Sequence, residues 1–116
     1  MTPEDHIDAV LQQLAGGRVF PDVAPLDTPT PYITYQAVGG APINFLTGER
    51  PAKQTHRMQV NCWADSRAEA SELGMLIEDA MRSATHLQVE VLTVRAANYD
   101  EETNCRGTIQ DFSIFC

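Results

Sequence analysis

The chain has 116 residues, with 16 acidic against 8 basic side chains and a formal net charge of −8. That length suits one domain with one core, burying roughly 65% of the surface its unfolded chain would expose, and a composition of 43% hydrophobic and 21% charged residues excludes wholesale disorder. The acidic balance argues against specific nucleic-acid binding and against an anionic lipid surface, since both ligands are polyanions. No apolar run approaches the ~20 residues of a membrane span.

A first helix is predicted from Thr2 as N-cap and Pro3 at the first helical position, with Glu4 and Asp5 at the positive end of the helix dipole. Its apolar stripe is Ile7, Val10, Leu11 and Leu14, and Gly16-Gly17 is the predicted stop. A short extended piece at Arg18, Val19 and Phe20 leads into Pro21–Pro31, whose four prolines rule out a helix or a central strand. Pro31–Val38 reads as a strand from Tyr32, Ile33, Thr34 and Tyr35, and Gly39-Gly40 breaks it. The segment 39–54 is predicted to be an arm or hairpin. It holds Pro42, Gly48 and Pro51, yet also Ile43, Phe45 and Leu46.

Thr55–Ala64 is the clearest strand. Met58, Val60 and Cys62 alternate with Arg57, Gln59 and Asn61, the pattern of a sheet with one buried face. Ser66-Arg67-Ala68-Glu69 fits a capping box that opens a second helix, whose inner face is Ala70, Leu73, Gly74, Ile77, Ala80, Met81 and Ala84. The small members of that face allow close approach to a sheet. Leu87–Ala97 reads as one long β-prone run, Tyr99–Asn104 as an acidic turn, and Gly107–Cys116 as a last strand. The order gives an α+β fold: a mostly antiparallel sheet of four to five strands, with two helices packed on one face.

Residues suited to catalysis are sparse. His6, His56 and His86 lie in three distant segments without metal-site spacing and are expected on the surface. Cys62 falls on the predicted core face, where a thiol is inert. Cys105 is expected to be exposed near a turn. It is also expected to stay apart from Cys116, because an extended strand of ten steps spans ~33 Å. The odd count of three cysteines and a polar opening, Met1–Asp8, fit free thiols in a reducing cytoplasm. Asp100-Glu101-Glu102 with Asn104 lacks the alternating ligands and central glycine of a calcium loop. No catalytic residue, metal ligand or cofactor site is assigned.

Segment 39–54 is the one place where the sequence points to binding. Exposing Ile43, Phe45 and Leu46 forgoes ~1.5–3 kcal/mol each, and Arg50 and Lys53 add two of the chain's eight basic charges beside them. Two readings fit: an arm that orders on a neighbouring subunit or another partner, or three side chains that tuck back onto their own sheet.

Arg18-Val19-Phe20-Pro21, then Pro31-Tyr32-Ile33-Thr34-Tyr35-Gln36, then His56 through Ala64 and an alanine-rich helix resemble, in that order, the small tail completion proteins of long-tailed phages and prophages. The resemblance spans nearly the whole chain and rests on structural motifs. This chain departs from the family in its long Ala41–Gln54 insertion and in its terminal Cys116. What the resemblance implies is a non-enzymatic tail terminator or head-to-tail joining subunit, made in the bacterial host cytoplasm and residing in the virion neck. Its implied partners are the tail tube protein and the head-tail connector proteins. It would act as a homo-oligomeric ring, usually sixfold, while the isolated chain can stay monomeric. The alternatives are another neck or connector subunit, a small cysteine-dependent enzyme, and a small-molecule binding module.

Overall fold

The computed structural model describes residues Met1–Cys116. Its elements in chain order are α1 (Pro3–Leu11), β1 (Val19–Pro21), β2 (Tyr32–Ala37), β3 (Thr55–Ala64), α2 (Arg67–Ser83), β4 (Glu90–Val91), β5 (Ala96–Asp100) and β6 (Cys105–Phe115). The strands run β1-β2-β3-β6-β4 across one sheet, and β5 pairs with β6 on the same side as β4. Only β1 and β2 are parallel; every other pairing is antiparallel. The expected α+β architecture is therefore present, with six strands instead of four to five because one long run divides in two.

β3 and β6 form the spine, in register from Thr55 opposite Phe115 to Ala64 opposite Arg106. Alternation puts Met58, Val60, Cys62 and Ala64 of β3 on one face, where all are fully buried. Across the ladder the same face carries Phe112, Gln110 and Thr108. Helix α2 covers it with Ala70, Leu73, Gly74, Ile77 and Met81, and α1 adds Ile7 and Leu11 to the same core. Gly74 is required by close approach: a Cβ there would lie 2.8 Å from Thr108 Oγ1 and 2.9 Å from Arg95 Cδ. Ser66 caps α2 by accepting the Glu69 amide hydrogen bond, and Arg67 reaches back to the carbonyls of Gly107 and Asn98.

α1 has the predicted start. Thr2 and Asp5 exchange hydrogen bonds in a capping box, and these bonds hold the Asp5 carboxyl below its usual range. The helix stops at Leu11, short of Gly16. A tighter turn follows, with Leu14 extended and a short 3-10 piece at Ala15–Gly17. This path leaves Leu14 and Ala15 packed against the core, which a continuous helix would carry past it. Tyr35 ties α1 to β2 by donating to Asp8 Oδ2 at 3.2 Å.

Leu87–Ala97 is not one strand. A 3-10 turn ends at Leu87, and Gln88 takes a left-handed conformation with φ of 48°. Between β4 and β5 the chain bulges. Leu92 and Thr93 both donate to the Asp111 carbonyl, and Thr93 Oγ1 accepts the Asp111 amide at 2.9 Å. A side chain thus replaces a ladder partner, and the edge kinks there. The outer face of the sheet, away from the helices, carries no covering element. It presents Tyr32 opposite Trp63 and the ion pair of Arg57 with Asp111 at 2.6 Å.

Two outcomes test this packing. A Cβ at Gly107 would sit 2.7 Å from the Trp63 ring and 2.5 Å from the Cys62 carbonyl, so Gly107→Ala should lower stability by about 1–3 kcal/mol in urea unfolding. Burial, then the neighbouring Asp8 carboxylate, push the Tyr35 phenol up to about 12. The unfolded phenol ionises near 10.0, so between those values only the unfolded chain sheds this proton, and stability falls as pH rises. Tyr35→Phe should flatten that alkaline fall, measured as the denaturant midpoint against pH.

Candidate assembly surface

The β2–β3 ladder continues one residue past Ala37. Val38 donates to Arg57, and Arg57 donates to Gly39. At the far side Gln54 and Cys116 exchange backbone hydrogen bonds and extend the β3–β6 ladder. The arm is thus the connection of the β2–β3 hairpin, gripped at both roots. Gly40 sets its departure: φ is 146°, and a Cβ there would run into the Thr55 backbone. Within the arm the Gly48 amide donates to the Phe45 carbonyl at 3.0 Å, making a turn at Leu46-Thr47. No other backbone bond joins its outgoing and returning halves.

The five arm residues singled out in the sequence are all exposed. Ile43 is 40% exposed, Phe45 50% and Leu46 109%, and Arg50 and Lys53 are exposed as well. Leu46 stands fully in solvent, whereas Ile43 and Phe45 are covered over about half of their surface. Neither cation has an ion-pair partner, since the chain's ion pairs are Arg57–Asp111 and Arg82–Glu78. The radius of gyration, 14.9 Å with principal extents of 50 × 26 × 22 Å, exceeds the ~13.4 Å of a compact chain of this length. An open pocket of about 340 Å³ lies at the arm's root, bounded by Thr2, Arg50, Gln54, His56 and Cys116.

The remaining candidates have structural partners. Cys62 is fully buried, with its Sγ 2.9 Å from Thr108 Oγ1 and donating to the Ala70 carbonyl, and burial pushes this thiol up. Cys105, expected to be exposed, is buried: β6 begins two residues earlier than predicted, which draws Cys105 into the sheet, and its thiol donates to the Thr103 carbonyl. Asp100 holds its own turn, accepting from the Glu102 amide and the Thr103 hydroxyl. His6 and His86, far apart in sequence, come together with tilted rings, their centroids 6.2 Å apart. No group of three or more His, Cys, Asp or Glu side chains is placed to hold a metal ion. No helix is long and apolar enough to cross a membrane. Alkylation of the native protein should modify the half-exposed Cys116 fastest and Cys62 only on unfolding, as read by peptide mass mapping; rapid reaction at Cys62 would contradict the buried packing.

No curated protein matches the chain. The family model described as tail completion protein gp17 matches residues 7–115, which runs from within α1 to the end of β6 and includes α2, every strand and the arm. The chain therefore belongs to the tail completion protein family and is a phage tail assembly protein.

Proposed function

We propose that this subunit caps the phage tail tube and takes part in joining tail to head, acting as a homo-oligomeric ring in the virion neck. Its role is geometric and involves no catalysis. Its partners are the tail tube protein and the head-tail connector proteins, and arm residues Ile43, Phe45, Leu46, Arg50 and Lys53 make its assembly contact, on a neighbouring subunit or on the tail tube. The observation that carries the reading is the arm itself. Three large apolar side chains stand in solvent on a connection rooted in the central ladders, and burying each one against a partner is worth ~1.5–3 kcal/mol. Such a segment gains stability only once a second surface covers it.

Charge supports a templated assembly. At −8 the chains repel one another in dilute solution, so free subunits stay apart until a tube end gathers them. The chain as a whole, Met1–Cys116, acts as one tail-completion domain with the arm as its adaptable part.

Electron microscopy of particles made with an early stop in this gene should show filled heads and tails that fail to join, or tails of uncontrolled length. Intact virions of normal length would overturn the proposal. Heads lacking a neck, with normally terminated tails, would place the chain instead among the connector subunits.

A further inference from the structure

Helix α2 has a second face. Its inner side is buried, and a surface helix ordinarily turns polar residues outward. Here Met75 and Leu76 face outward instead, each 51% exposed. Glu72 and Asp79 flank them at the spacing that puts all four on one side of the helix. Both carboxylates are exposed and neither forms an ion pair within the chain; the neighbouring cation Arg82 is held by Glu78 at 2.9 Å. The result is an apolar spot with an acidic rim.

The arm has the complementary composition: an apolar tip, Phe45 and Leu46, followed by the two unpaired cations Arg50 and Lys53. It is net positive in a chain of net charge −8. We infer that the arm of one copy docks on the outward face of α2 of a second copy, with Phe45 and Leu46 covering Met75 and Leu76 while Arg50 and Lys53 meet Glu72 and Asp79. This rests on the assembly role proposed for the arm and names what the arm contacts. A second copy is the occupant because both halves of the match are on this chain, and because the arm's excess positive charge opposes the acidic rim of α2. From Gly40 to its tip the arm reaches on the order of 20 Å, enough to cross onto a neighbour. Exposed ion pairs contribute only ~0–1 kcal/mol each, so the apolar contact supplies affinity while the charges select the face and its orientation. The two surfaces differ, so the contact can run head to tail and close as a ring.

The test uses full-length chain in tails assembled in host cells, with a photoreactive benzoylphenylalanine at Phe45 or, separately, at Asn44. The expected product is a dimer of the 12.8 kDa chain whose peptide map joins the arm to residues 67–83. Cross-links to a tube or connector protein alone would overturn this contact while leaving the arm as a partner-binding element. Cross-links to nothing would remove both. In parallel, Arg50→Glu with Lys53→Glu should lower the yield of infectious particles by about tenfold, and adding Glu72→Lys with Asp79→Lys should restore it. Because all four positions are exposed, the monomer should fold normally throughout, as checked by thermal unfolding. Folded protein without rescue would refute the pairing.

Discussion

Everything else in this molecule is arranged around the ladder between β3 and β6. It runs unbroken from Thr55–Phe115 to Ala64–Arg106, and a one-residue slip of β3 would turn Met58, Val60 and Cys62 out to the other face. On its helix side lies a small polar node. Cys62 meets Thr108, and Gln110 Nε2 donates to the Gly74 carbonyl at 3.0 Å. Gln110 is fully buried, and its Oε1 has no partner. An unpaired buried acceptor costs about 1–3 kcal/mol, so an apolar residue here would be the more stable choice in isolation. What the glutamine supplies is direction: it accepts one position of α2 along the sheet, opposite the glycine that permits close approach.

The same ladder explains why an apolar arm can remain outside. Its roots are fixed by backbone bonds, at Gly39 to Arg57 and at Gln54 to Cys116. Pro42 and Pro51 remove donors from both halves, so the arm does not continue as a regular hairpin. Collapse onto the outer sheet would require it to fold sharply back over Arg57 and its partner Asp111. Those side chains already satisfy each other through two hydrogen bonds to Asp111 Oδ2, and a covering layer of apolar residues would desolvate them. The outer face therefore repels its own arm more than it attracts it.

How much of this was legible beforehand depended on whether a signal was local. The alternation of Thr55–Ala64 gave a strand with those bounds, and the Ser66 cap gave the start of α2. Both are set by neighbours a few residues apart. The end of α1 was misread because glycines mark where a helix must stop, whereas Leu14 leaves it earlier to stay on the core. The break in Leu87–Ala97 depends on Thr93 meeting Asp111, eighteen residues away, and no pattern within the run itself announces it. The approach of His6 to His86 was likewise invisible, being set by the packing of α1 near the end of α2. At the arm, sequence identified the residues but left open whether they would be covered. Exposure is a property of the whole surface, and only the fold decides it.

The exposed apolar residues can then be weighed together. Scattered single ones are ordinary on a protein surface. Here the arm and the outer side of α2 each carry a small group of them with opposite charge around it, while others, among them Val23, Leu26 and Val94, lie elsewhere. A molecule selected only for solubility would gain from replacing Leu46 or Leu76 by a polar residue, at no cost to a core neither of them enters. Their exposure beside charges left unpaired within the chain is what supports the proposal that both are contact surfaces. The acidic excess elsewhere supplies the complement, by discouraging contacts that do not involve the arm. In the proposed ring, specificity would rest on the sum of one attractive element and a generally repulsive surface, with the central ladder anchoring the arm at its roots.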